Sequence, residues 1–100
     1  MKTIKSFEEL DKITSAGKTY IQFSANWCGP CRMITPIVES LESEFPNINF
    51  VKIDVDENRE IALDYNVRGI PKIVVVENGN ILTEAVGAKN KEELRTILNS

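Results

Sequence analysis

Histidine is absent from the 100 residues of this chain. The commonest general base and the commonest metal ligand are therefore both unavailable. Cysteine occurs twice, as Cys28 and Cys31, and tryptophan once, as Trp27. Long hydrophobic runs are missing too. The longest, Ile73 to Val76, is far too short to span a membrane. The opening Met1-Lys2-Thr3-Ile4-Lys5-Ser6-Phe7-Glu8-Glu9 carries no apolar core of a secretory leader, so a cytoplasmic location is expected. Positive charge is not in excess: 12 basic residues face 15 acidic ones, a balance of −3. That argues against a nucleic-acid binder, which needs clustered Lys and Arg to displace counterions.

What is present suits a folded protein. The apolar share is 42% and the charged share 27%, ordinary for a globular chain and too hydrophobic for disorder. A length of 100 residues matches one core rather than two, so residues 1–100 are expected to form a single domain. No repeat, linker or low-complexity stretch interrupts it.

Local patterns predict nine elements. Lys2 to Lys5 reads as a short strand. Ser6 begins a capping box with Glu9, followed by Phe7, Leu10, Ile13 and Thr14 at helical spacing and Gly17 as C-cap. Thr19 to Ser24 is rich in β-branched and aromatic residues and reads as a strand. A helix is expected from about Cys28 or Cys31 to Phe45, with Ile34, Ile37, Val38, Leu41 and Phe45 facing inward and Pro36 kinking it. Asn49 to Val55 is the next strand, and Asn58 to Tyr65 a short helix ended by Asn66. Lys72 to Glu77 and Ile81 to Val86 flank Asn78-Gly79, a strong hairpin signal. Asn90 and Glu93 cap a last helix that turns Leu94, Ile97 and Leu98 inward. The order β-α-β-α-β-α-β-β-α is an α/β fold. Helical crossovers require parallel strands and the hairpin an antiparallel pair, so a central mixed five-stranded sheet flanked by four helices is expected.

The chemistry is concentrated in Trp27-Cys28-Gly29-Pro30-Cys31. A C-x-x-C beside a βαβ pattern reads as a redox motif. Two intervening residues let both sulfurs lie within one turn at a helix start, where free N–H groups and the helix dipole favour a thiolate at the first cysteine. Other readings compete. Half of a zinc site lacks two of its four ligands within one chain, although a site shared by two chains stays open. A structural disulfide would close too short a loop to restrain the unfolded chain much. Incidental core cysteines would not need the adjoining Gly-Pro.

Over essentially all its length the chain resembles the thioredoxin family. Trp27-Cys28-Gly29-Pro30-Cys31 matches the family's active-site motif in full, with Phe23 and Ala25 before it and Pro36 after it. Lys52 and Asp56 match the family's strand lysine and following aspartate, and Arg68-Gly69-Ile70-Pro71 the segment beside the active site. Gly79 and Gly87 match its remaining glycines.

The resemblance implies the thioredoxin fold, with the Asn49 to Val55 strand beside Thr19 to Ser24 and a cis Ile70–Pro71 bond. It implies a protein dithiol–disulfide oxidoreductase acting as a reductant, with Cys28 as nucleophile and Cys31 as resolving thiol. Gly29 and Pro30 fix the turn and leave little bulk over the sulfurs. Trp27 is expected to border the site and to pack. Gly69, Ile70 and Pro71 would form a substrate groove in which the Ile70 backbone pairs with an extended peptide, and Gly87 and Ala88 its far rim. No bound cofactor or metal is expected. Electrons would come from NADPH through a flavin-dependent thioredoxin reductase, with a ferredoxin-linked donor as the alternative. Partners would be disulfide-containing proteins and that reductase, with no nucleic acid and no membrane, and the protein is expected to be a monomer.

Two residues depart from the family pattern. Lys72 follows Pro71 where threonine is frequent; it either biases the groove towards acidic partners or is a solvated strand-end lysine. Gln22 stands where the family carries a buried acidic residue beneath the cysteines. Lys52 then lacks its acidic neighbour and must pair elsewhere or reach solvent. Two rival functions remain: a non-catalytic docking module using the same groove, and a glutaredoxin-like, glutathione-coupled reductant.

Overall fold

A computed structural model describes all 100 residues, Met1–Ser100. The elements run β1 (Lys2–Thr3), α1 (Phe7–Thr14), β2 (Lys18–Ser24), α2 (Gly29–Leu41), β3 (Ile48–Asp54), α3 (Arg59–Asp64), β4 (Lys72–Glu77), β5 (Asn80–Val86) and α4 (Lys91–Leu98). They form one five-stranded sheet in the order β1-β3-β2-β4-β5. The pairs β1/β3 and β2/β3 are parallel, whereas β2/β4 and β4/β5 are antiparallel. The mixed sheet flanked by four helices is thus as the sequence predicts, and β3 lies beside β2 as the resemblance implies.

Alternation along β2 divides the core in two. Ile21 and Phe23 point to the face packed with Leu10, Val51, Ile53, Ile61 and Val74. Tyr20 points to the opposite face, with Ile34, Val38 and Leu41 of α2, Phe50, and Leu94 and Leu98 of α4. A two-residue period produces this split, so the strand needs apolar residues on both sides. Gln22 falls on the Tyr20 face and is fully buried there. It is a polar residue in the most enclosed strand of the sheet.

Several boundaries differ from the sequence expectation. The first strand keeps only two residues. At the start of α1, Ser6 Oγ accepts the Glu9 N–H at 3.2 Å, but the Glu9 carboxylate accepts the Lys5 N–H at 2.9 Å instead of that of Ser6. The box is therefore half-built, because the glutamate reaches one residue further back. Phe7 is 37% exposed, leaving Leu10 and Thr14 as the buried face. The C-cap is Ser15 and not Gly17, which adopts its positive φ two residues later as the chain turns into β2.

The second helix stops at Leu41 and continues as a short 3₁₀ turn over Glu42–Glu44, so Phe45 lies outside it. Pro46 is the cause. A residue before proline is kept out of the α region, and Phe45 has φ −129° and ψ 65°. Carboxylates at a helix C-terminus also oppose the dipole. The hairpin forms as the sequence predicts, with φ of 49° at Asn78 and 84° at Gly79, both needed by its turn. In α4 both bonds of the Asn90–Glu93 capping box are present.

Candidate active site

The sequence Ala25 to Cys31 is a junction between the central strand and α2. Ala25 C=O accepts the Cys28 N–H at 3.1 Å and ends β2 in a turn. Cys28 is the N-cap, in extended geometry, and its Sγ accepts the Cys31 N–H at 3.2 Å. A sulfur thus occupies the place usually taken by a capping oxygen, facing the unpaired N–H groups of the first turn. Pro30 fits there because a first-turn N–H has no helical partner to lose.

Cys28 and Cys31 are joined in a disulfide with Cα atoms 5.3 Å apart. Exposure does not separate the two, at 4% and 2%. Their surroundings do. Cys28 Sγ lies 4.0 Å from the Ile70 carbonyl oxygen, and Ile70 and Val55 pack against the apolar cluster of Ala25 and the two cysteines. Cys31 instead helps line a polar cleft that also includes Thr35 and Lys52.

The segment across from Cys28 is built from two strands. The Ile70–Pro71 bond is cis and Pro71 is buried. The Pro71 carbonyl accepts the Gly87 N–H at 2.9 Å, tying the groove segment to the end of β5. A Cβ on Gly69 would come within 3.2 Å of Val86 Cγ1, so the two walls close on each other there. Gly87 has φ 98°, a conformation open to glycine at little cost. Ala88 is exposed and lies outside the cluster around the sulfurs. A Cβ on Gly29 would meet nothing within 4 Å, so its smallness leaves free space above the sulfurs rather than relieving a clash.

Two expectations are corrected. Trp27 does not pack: it is 68% exposed, with its indole N–H donated to Asp56 Oδ2 at 2.8 Å. That bond ties the ring to the turn after β3, where Asp56 sits. Lys72 is neither solvated nor free to recruit acidic partners. It is buried, its Nζ donating to the Tyr65 carbonyl at 2.8 Å and pairing with Glu84 Oε1 at 2.9 Å. Lys72→Met should strand the Tyr65 carbonyl and cost about 1–3 kcal/mol, read as a lower urea midpoint.

Gln22 is satisfied entirely from within. The Tyr20 hydroxyl donates to Gln22 Oε1 at 2.9 Å, and Gln22 Nε2 donates to Thr35 Oγ1 at 3.0 Å. Thr35 Oγ1 donates in turn to the Cys31 carbonyl at 2.9 Å. Burial pushes the Tyr20 phenol far above its usual range, so it stays protonated and remains a donor. Lys52, half-buried, has no ion pair. Sequence reasoning missed Tyr20 and Thr35, although Tyr20 shares a strand face with Gln22 and Thr35 follows Cys31 by one helical turn.

Comparison with known proteins agrees with this geometry. A family model described as Thioredoxin matches residues 2–100. The chain belongs to the thioredoxin family. It is 41% identical to a thioredoxin of Chlamydia pneumoniae over 99 residues, covering 99% of this chain and 97% of that one. It is 45% identical to a Bacillus subtilis thioredoxin over 87 residues, 86% of this chain and 84% of that one. Among solved structures, oxidized mitochondrial thioredoxin 3 of Saccharomyces cerevisiae superimposes with a TM-score of 0.92 at 31% identity, covering 99% of this chain and 93% of that one. As a thioredoxin the chain is a dithiol–disulfide oxidoreductase that carries its redox centre in its own cysteines. Thioredoxins bind no cofactor for this exchange; disulfide substrates and a reductase partner complete the cycle. No helix is long and apolar enough to cross a membrane.

Proposed function

We propose that residues 1–100 work as one thioredoxin domain that reduces protein disulfides, with Cys28 as nucleophile and Cys31 as resolving thiol. The observation that carries this reading is the position of Cys28 Sγ, at the start of α2 and 4.0 Å from the Ile70 carbonyl. The reduced Cys28 thiolate attacks one sulfur of a substrate disulfide. That disulfide breaks, its electron pair leaves on the second substrate sulfur, and solvent protonates it. Cys31 then attacks Cys28, the mixed disulfide breaks, and the other substrate sulfur leaves. Two electrons pass to the substrate, and the Cys28–Cys31 disulfide remains.

The groove reading assigns substrate contact to Trp27, Gly69, Ile70 and Pro71, with Gly87 and Ala88 at the rim. An extended peptide laid beside Ile70 would bond to its backbone, in the manner of an added strand. Gly29 and Pro30 keep the approach to the sulfurs open. Gln22 and Lys52 tune the second step from beneath. The protein acts as a monomer in the reducing cytoplasm, where a flavin-dependent reductase returns electrons from NADPH.

The test couples NADPH oxidation to insulin reduction through a matched thioredoxin reductase. NADPH consumption should rise in proportion to this protein. Consumption no faster than with reductase alone would overturn the reductant assignment.

A further inference from the structure

The hydrogen bonds beneath the redox pair all run one way. From Tyr20 to Gln22, from Gln22 to Thr35, and from Thr35 to the Cys31 carbonyl, each donor is already committed. The phenol stays protonated, the amide is a very weak base, and the hydroxyl is no stronger. Nothing in this buried chain can take a proton from Cys31 near neutral pH. What the chain does is fix the backbone of Cys31 at the first turn of α2, through three bonds made by two side chains of β2 and one of α2.

On its other side Cys31 helps form the wall of a cleft of about 250 Å³. Thr35 and Lys52 line it together with Arg32 from α2, Asp54 from the end of β3 and Glu57 from the following turn. The cleft is polar and large enough for several water molecules. Asp54 Oδ1 is occupied by the Asp56 and Glu57 N–H groups, at 2.8 and 3.1 Å. The Lys52 ammonium is not drawn into an ion pair. Arg32 and Lys52 share the cleft wall with Asp54 and Glu57 without a contact ion pair, and a cation near a thiol favours its ionised form.

We propose that Cys31 loses its proton to solvent through this cleft, with Lys52 favouring the thiolate and the Tyr20–Gln22–Thr35 chain holding the Cys31 backbone in place for attack. Lys52 and Thr35 are positioning residues, since neither touches substrate. The proton passes from Cys31 Sγ to water in the cleft and on to bulk buffer. The thiolate electron pair forms the Cys31–Cys28 bond, and the Cys28–substrate bond breaks with its pair leaving on substrate sulfur. The inference rests on the assignment of Cys31 as resolving thiol.

Stopped-flow reaction of the reduced protein with dithiobis-nitrobenzoate separates the two steps, because each releases one coloured nitrobenzoate thiolate. A first release that requires Cys28 tests the assignment of roles; the second tests the cleft. In wild type the second release should accelerate with pH along a single ionisation. Lys52→Met should raise that ionisation by about one unit. Fewer thiolates, partly offset by greater nucleophilicity, should slow release about threefold at neutral pH. Lys52→Arg should restore the wild-type profile. Thr35→Val should slow the second release several-fold without moving its ionisation, and Thr35→Ser should restore it. In both Thr35 variants the first release should keep its wild-type rate. A Lys52→Met variant with the wild-type second phase at every pH overturns the exit route. A Thr35→Val variant with an unchanged second phase overturns the positioning role.

Discussion

Cys31→Ser is expected to stop the cycle half-way, with substrate left covalently attached to Cys28. The serine hydroxyl keeps the small size of the side chain but cannot attack a disulfide at neutral pH, so the mixed disulfide has no internal exit. Cys28→Ser should form no such adduct and should lose turnover completely. The asymmetry follows from position. Cys28 faces the carbonyl of Ile70 in the groove, whereas Cys31 sits one turn into α2 against the polar cleft. Mass spectrometry of each variant after incubation with an oxidised protein substrate measures the difference. Adducts of equal yield on both variants would refute the assignment.

Gln22→Asp should lower stability, and by an amount that depends on pH. Gln22 is wholly buried, and its amide both donates and accepts. A carboxylate there still accepts from Tyr20, and it is one methylene shorter. Its charge must be buried with only the half-buried Lys52, its neighbour across the sheet, to offset it, a cost of about 1–4 kcal/mol after partial pairing. Desolvation raises the folded carboxyl above its unfolded value of about 3.9. The sign follows from linkage: the neutral acid is tolerated below that unfolded value, and stability is lost as pH rises through the folded one. The urea midpoint of the variant should therefore fall between acid and neutral pH, by about 1 M or more. Wild type should show no such drop from this site, because glutamine does not titrate. Superimposable wild-type and variant curves across that range would dismiss the argument.

Much of the fold was legible because its signals are local. The Asn78-Gly79 turn, the Asn90–Glu93 cap and the alternation of β2 each declare themselves within a few residues. The helix end at Leu41 was missed because apolar spacing ran on to Phe45 while the restriction came from Pro46. At the site, the cysteine pair was readable from spacing, and the groove segment from resemblance. The roles of Lys72 and Trp27 were not. Each depends on one acceptor far along the chain, Glu84 for the lysine and Asp56 for the indole. Lys72 also needs the Tyr65 carbonyl, and no side-chain pattern predicts where a carbonyl will point. The Gln22 chain lay between these cases: its period-two and one-turn offsets were present in the sequence, but only packing brings β2 and α2 into register.

The exposed indole gives the protein a built-in optical reporter. Trp27 is the chain's one tryptophan, so its emission is free of overlap from any other. With most of the ring in water and its N–H held by Asp56, that emission should lie far to the red in the free protein. A partner that settles over the sulfurs has to cover the ring, excluding solvent from its face and shifting the emission to the blue. Docking of any tryptophan-free substrate could thus be titrated without a label, and separated from electron transfer by using the Cys28→Ser protein.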